Sequence, residues 1–557
     1  MVRQVFKLFN ADIRGLHEAA YILAGLTLGS QILALVRDRM FASAFGAGHV
    51  VDLYSAAFRI PDLVFALVAS LTSAYVIIPL IASSYGTDAA RVRHILGQSA
   101  TLLLLSMAVV ILPLIFFLPK ILTILFPLYA SLPDFSSFVL LAQILLIQPV
   151  LLGLSSIFGS VAQVTRRFVL YALSPILYNV GIIFGLVVWY PSFGLLGLGG
   201  GVILGACLHL GIFIPLLLRE KIMPRVMALK GDTIRMIVTR SLPRSFALFI
   251  NASVILALSA LAATLATGSV AVVSYASNLA AVPLALIGVS YATAAFPTLA
   301  RALRDQGRAS FLDYLISAMR HLILWSLVAS ALILVLRAHV VRTILGSGSF
   351  DWDDTRLTAA VLGLIGIGLV GHGVVLLLSR AHYALDESYP PLIAQILGAL
   401  VSVTVAYGAV RLFMRDSEFL LHVATFLRVG DVPGHEVIAI GIGFGSGGLL
   451  MGLFAVVFFG LQHPGFLRRL FIPFIESVLA AVVAGATTYG TLALFGGIYA
   501  LSTFTAVFTQ AFIAGMVGLI SGAIVLRLLG SKTYDEAHRA IMRLVRRKAA
   551  LPPQADF

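Results

Sequence analysis

Residues 19–48 read AAYILAGLTLGSQILALVRDRMFASAFGAG. From Ala19 to Val36 there is no formally charged side chain, and then Arg37, Asp38 and Arg39 follow in a row. An uncharged run of about 20 residues is what an α-helix needs to cross the hydrocarbon of a bilayer. The three charges therefore either end a membrane span or interrupt a soluble core, and the rest of the chain decides between the two.

Of the 557 residues 60% are hydrophobic and 11% charged, with a mean hydropathy of +1.03. Soluble domains carry roughly 25% charged residues. That much apolar surface calls for lipid as its solvent. Apolar stretches recur at 17–36, 52–80, 95–118, 136–163, 168–190, 195–218, 241–265, 269–298, 319–336, 357–379, 389–412, 437–460, 470–494 and 501–529. The fold class expected is an all-α polytopic membrane protein with about 14 transmembrane helices. No short apolar core precedes an A-x-A-like site, so no cleaved signal peptide is expected. The single cysteine, Cys207, excludes an intramolecular disulfide.

The net charge of +14 invites a nucleic-acid reading, which the placement of the charges rejects. Of the 38 Lys and Arg, 27 fall on segments that fourteen spans would leave on the N-terminal side. This is the positive-inside pattern, with both termini in the cytoplasm. Arg543, Arg546, Arg547 and Lys548 then form a basic tail that faces anionic lipid.

Two stretches about 220 residues apart look alike. Gly48 leads to Ile78-Pro79-Leu80, and Gly268 leads to Phe296-Pro297-Thr298. Arg166 and Arg167 precede Pro175 and Asn179, just as Arg380 precedes Pro391 and Gln395. The pattern predicts two six-helix lobes of parallel topology plus two C-terminal helices, with substrate bound between the lobes. The expected divisions are 1–230 for the N-lobe, 231–436 and 437–460 for the second, 461–530 for the extra helices and 531–557 for the tail.

Span 2 carries the most chemistry. As one helix it would align Asp52, Ser55, Arg59, Asp62, Ala66, Ser70 and Ser73 on a single face. An arginine within a span costs about 2.5–3.5 kcal/mol to insert, so Arg59 needs a protein-lined or watery surrounding. Pro61 should kink the helix. Arg37 and Arg59 together suggest a cationic patch for a phosphate-bearing ligand, because guanidinium forks match phosphate oxygens. A plainer alternative is an Arg37–Asp52 or Arg59–Asp62 pair that fixes two helices. Arg39 is expected to reach lipid headgroups. In the second half, Arg244 and Asn251 share a face of span 7, and span 8 brings Ser274, Ser277 and Asn278.

Other signals carry less. GFGSGG at 443–448 fits a dinucleotide fingerprint only formally and reads as close helix packing, as do Gly25 and Gly29. No P-loop, metal-ligand spacing or catalytic triad is present, so neither enzymatic chemistry nor a cofactor or metal is expected.

The stretch VRDRMFASAFGAGHVVDLYSAAFRIPDL (36–63) resembles the first-loop signature of the MurJ/MviN lipid II flippases. RRFVLYALSPILYNVGIIFG (166–185), GLLGLGGGVILGACLHL (194–210), SLPRSFAL (241–248), GSGSFDWDDTRLTAAVL (346–362) and SRAHYALDESYPP (379–391) resemble it in family order. The resemblance implies the 12+2 helix arrangement of the multidrug/oligosaccharidyl-lipid/polysaccharide exporter superfamily. It implies transfer of an undecaprenyl-pyrophosphate-linked precursor to the outer leaflet of the bacterial cytoplasmic membrane. The implied partners are this anionic lipid-linked substrate, membrane lipids and proteins of cell-wall synthesis. The extra helices would hold the lipid tail. Arg37, Asp38 and Asp52 match motif positions, and Arg59 stands where the family has Lys or Arg. The expected contacts are Arg37 and Arg59 on pyrophosphate, Asp38 and Asp52 orienting them, and Arg244 and Asn278 opposite. Several family charges are replaced, by Gln31, Phe65, Ala66, Ser70 and Asn278. These replacements leave two alternatives open: an exporter coupled to H⁺ or Na⁺ through Asp52, Asp62 or Glu476, and a non-transporting membrane scaffold.

Overall fold

The computed structural model describes residues 16–549 apart from 70–73, 230, 388, 416–417 and 497–502. Among them the elements are helical. Eleven helices among the described residues are long and apolar enough to cross a membrane. The pair Trp352–Ile367 and Leu369–Ala384, bent by 41° at Gly368, is long and apolar enough only when taken together. The helix Leu16–Phe45 and an interrupted run from His49 to Ala82 occupy the places expected for spans 1 and 2. The chain is a multi-pass membrane protein.

Span 2 is not one helix. It breaks at Phe58 into His49–Ala57 and Arg59–Leu67, and continues as Ala74–Ala82. The cause is Pro61, which has no N–H to give the carbonyl of Ala57 four residues back. Asp62 resumes the ladder on the Phe58 carbonyl at 2.8 Å. The single polar face expected from Asp52 to Ser73 is thus divided at Phe58, and Ser70 and Ser73 lie outside the described residues.

Two compact units emerge, residues 1–275 with 344–354, and residues 276–343 with 355–557. In the first, helices Phe168–Phe184 and Leu195–Gly211 meet through glycine. A Cβ on Gly181 would stand 2.3 Å from the Gly205 Cα, and one on Gly201 2.5 Å from the Gly185 Cα. The second is built the same way around Ile438–Gln462. A Cβ on Gly371 would lie 1.9 Å from the Gly448 carbonyl oxygen, and one on Gly443 2.5 Å from that of Ser402. GFGSGG is therefore a contact face, for the reason expected: small residues let helix backbones touch where lipid gives no hydrophobic drive. Gly29 is different, because nothing described lies within 4 Å of where its Cβ would be. The side chain position of Gly25 lies outside the described residues. The core of the second unit is Phe311, Leu315, Met319 and Leu322 against Leu377, Leu378 and Phe459.

Candidate functional site

The junction that opens the sequence is where the first unit concentrates its buried charge. Arg37 sits in the last turns of Leu16–Phe45, and its Nε and Nη2 donate to Asp38 Oδ1 at 2.9 and 2.7 Å. Its Nη1 donates to Asn179 Oδ1 at 2.9 Å, and Asn179 in turn donates to the Pro175 carbonyl at 3.0 Å. Asp38 thus orients Arg37 by direct contact.

Arg59 opens the helix that follows the Phe58 break and reaches the helix Ser269–Leu284 with its side chain. Its Nη2 donates to Ser274 Oγ at 2.8 Å, while its Nε is buried with no partner. A guanidinium has five N–H donors. Among the described residues Arg59 forms this one hydrogen bond, so most of its fork is unfilled. The charge of Asp62 acts on it, one turn along the same helix. Tyr178 lies within the fields of both Asp62 and Arg37, and Gln148 Nε2 donates to its hydroxyl at 3.1 Å. The arrangement is a charge-balanced polar cluster inside apolar helices: Arg37 with Asp38, Arg59 with Asp62, and Asn179, Tyr178, Gln148 and Ser274 around them.

Asp52 does something the sequence did not suggest. It is 1% exposed, and its oxygens accept the backbone N–H groups of Gly268 and Ala271 at 2.7 Å each. It caps the Ser269–Leu284 helix from a distant part of the chain, where a carboxylate meets both orphan donors and the positive end of the helix dipole. The expected role of Asp52, orienting an arginine, gives way to this one. Gly268 permits the approach, having φ +93° and a Cβ position only 2.1 Å from the Ala47 carbonyl oxygen. The same turn is held from another side, since Ala47 N–H donates to Asp354 at 2.9 Å and Ser349 N–H to the Ser43 carbonyl at 2.9 Å. Arg39, expected at headgroups, donates to the Ile344 carbonyl at 3.0 Å. An open recess of about 390 Å³ beside this turn, lined by Met40, Phe45, Leu186, Val187 and Tyr190, is mostly apolar.

Of the remaining expected residues, Asn278 is exposed one turn beyond Ser274 on the same helix. Arg244 lies in the helix Gly231–Ala262, with its side chain outside the described ones. Asn179, Tyr178 and Gln148 were not expected in the site, and Ser274 was noted on span 8 without a contact assigned to it. Each is a polar residue in an otherwise apolar span, a signal present in the sequence but too common to select these four. Among the described residues no group of three or more His, Cys, Asp or Glu could hold a metal ion.

The comparisons with known proteins agree with this architecture. A family model described as "Lipid II flippase MurJ" matches residues 41–509. The lipid II flippase MurJ of Burkholderia cenocepacia is 25% identical over 486 residues, covering 84% of this chain and 88% of that protein. A probable lipid II flippase MurJ of Buchnera aphidicola is 28% identical over 387 residues, 68% of this chain and 75% of its own length. Among solved structures, "Lipid II flippase MurJ, inward closed conformation" superposes with a TM-score of 0.70 at 18% identity, covering 91% of this chain and 99% of that one. An inward-facing MATE multidrug transporter of the MOP superfamily gives 0.63 at 15% identity, covering 81% and 99%. Both structures share the fold. The chain belongs to the lipid II flippase MurJ family.

Proposed function

We propose that this chain moves lipid II, the lipid-linked peptidoglycan precursor, from the inner to the outer leaflet of the bacterial cytoplasmic membrane by alternating access. The supporting observation is Arg59, a guanidinium held inside apolar helices with its Nε unpartnered and one hydrogen bond made. Burying such a group without filling its donors is unfavourable, and a pyrophosphate would fill them with charge-assisted bonds. Arg37 and Arg59 are the proposed pyrophosphate contacts. Asp38 holds Arg37, Asp52 holds the helix that carries Ser274, and Arg244 and Asn278 are the proposed contacts from the other lobe. In this reading 1–230 and 231–460 are the two lobes, 461–530 supplies the groove for the lipid tail, and both termini with the basic tail 531–557 are cytoplasmic. Membrane lipids surround it, proteins of cell-wall synthesis are candidate partners, and no covalent step or nucleic acid is involved.

A second reading is favoured by Asp62. It faces Arg59 electrostatically and its carboxylate accepts no hydrogen bond among the described residues, as a carboxylate that loads a proton or sodium ion would. Asp52 and Glu476 are less suited, being bonded to Gly268 and Ala271 and to Ser531. Complementation separates the possibilities, using a bacterium depleted of its own lipid II flippase and supplied with wild type, Arg59→Ala or Arg37→Ala at matched membrane levels. Wild type should restore growth and Arg59→Ala should not. Failure of well-inserted wild type sinks the lipid II assignment, and strict dependence on an ion gradient in proteoliposomes favours the second reading.

A further inference from the structure

Two of the four arginines of the helix Arg308–Ile344 lie in very different surroundings. About a third of the way along it, Arg320 pairs with Glu536 of the C-terminal helix Lys532–Ala549 at 3.2 Å. Roughly 25 Å further along the axis, Arg337 is half-buried, and its Nη1 donates only to the Leu334 carbonyl of its own helix, at 2.5 Å. The charge that acts on it among the described residues is another positive one, Arg428. Room is kept for its stem by Gly363, whose Cβ would stand 3.1 Å from the Arg337 Cδ.

Arg428 is equally specific. It follows the helix Glu418–Phe426 in the left-handed region, φ +63°, although it is not a glycine. Arg356 fixes it there, donating through Nε and Nη2 to the Arg428 carbonyl at 2.8 and 2.5 Å. Arg356 also takes up the nearby carboxylate, donating through Nη1 to Asp431 Oδ2 at 2.9 Å. Asp431 is thereby occupied, while Arg337 and Arg428 retain two like charges, one of them half-buried. Such a pair is unfavourable unless an anion joins it, and planar forks suit phosphate.

The surroundings say where that phosphate comes from. Helix Glu418–Phe426 turns Leu420 and Ala424 inwards and presents Phe419 and Phe426, 71% and 79% exposed, on one face. The exposed apolar side of Tyr389–Phe413, with Leu400 and Tyr407, leads up to it, and the Arg411 guanidinium lies 5.1 Å over the Tyr407 ring. Exposed aromatic and basic side chains at the end of a span mark the headgroup level of a bilayer. We propose that Arg337 and Arg428 hold the phosphate of a lipid headgroup, at the end of this unit opposite the C-terminal helix.

The test uses the full chain in detergent with Phe426→Trp as the reporter, titrated with brominated phosphatidylglycerol. Quenching should saturate, and adding Arg337→Gln and Arg428→Gln should weaken it by ~10-fold or more, the loss expected for charge-assisted hydrogen bonds. Native mass spectrometry without the Phe426→Trp substitution should show wild type retaining a phosphatidylglycerol that the Gln pair releases, with both proteins monodisperse. Quenching and retention unchanged in the Gln pair would overturn the site. Displacement of the lipid by millimolar inorganic phosphate would overturn the headgroup assignment in favour of a soluble anion.

Discussion

Asp52 and Gly268 are joined by a 2.7 Å hydrogen bond from the Gly268 backbone N–H to a carboxylate oxygen, across 216 positions of sequence. Ala271 fills the other oxygen at the same distance. Asp52→Ala should therefore destabilise the protein by about 3 kcal/mol, two buried charge-assisted bonds being lost together. Asp52→Asn keeps one acceptor and should lose about half as much. Unfolding in mixed detergent micelles measures both, and equal stability of all three proteins would refute the cap.

Arg59 and Asp62 balance one another inside apolar surroundings. Arg59→Met leaves that carboxylate without its countercharge and should destabilise by about 3 kcal/mol or more. Adding Asp62→Leu should recover most of the loss. A double-mutant cycle on the same unfolding assay reads the coupling. Additive losses would mean the two charges do not interact.

Two glycines that look equivalent in sequence should behave oppositely. Gly371→Ala places a methyl where the Gly448 carbonyl oxygen is 1.9 Å away, and no side chain can rotate to relieve it. Well-folded protein should fall sharply by gel filtration. Gly29→Ala meets nothing described within 4 Å, and alanine's helix preference should leave it neutral or up to about 1 kcal/mol more stable. A collapse of Gly29→Ala would reveal a contact there.

The C-terminal helix should be held in a pH-dependent way. Burial works to raise the Glu536 carboxyl, but hydrogen bonds from His321 and Ser317 and the charge of Arg320 outweigh it and draw it below the usual glutamate range. A carboxyl lowered in the folded state contributes fully above its unfolded value, about 4.3, and loses that contribution as pH falls through the folded one. Hydrogen exchange of residues 532–549, corrected for intrinsic rates, should thus be slow at neutral pH and accelerate below about pH 4. Glu536→Gln should already exchange faster at pH 7, and a flat profile in wild type would exclude the ion cluster as the anchor.

The membrane spans were legible because hydropathy is a local property: Ala19–Val36 reads as a span with no knowledge of its neighbours. The Pro61 interruption was legible too, since a missing N–H acts on the carbonyl four residues back. GFGSGG could be assigned to helix contact for the same reason, whereas Gly29 shows that a small residue permits an approach without ensuring one. The near partners of charge were legible, Asp38 for Arg37 and Asp62 for Arg59, but the distant ones were not. Arg37 had Asp38 beside it and Asp52 fifteen positions away, yet its second partner is Asn179, 142 residues on. Asp52 resembled an arginine's counterion and instead receives two backbone donors at a helix start. Apolar length and periodicity belong to each segment alone, so the sequence by itself determined a helical membrane protein with arginine inside it. Which donor each buried carboxylate meets depends on how distant helices pack, and that was decided only by the tertiary structure.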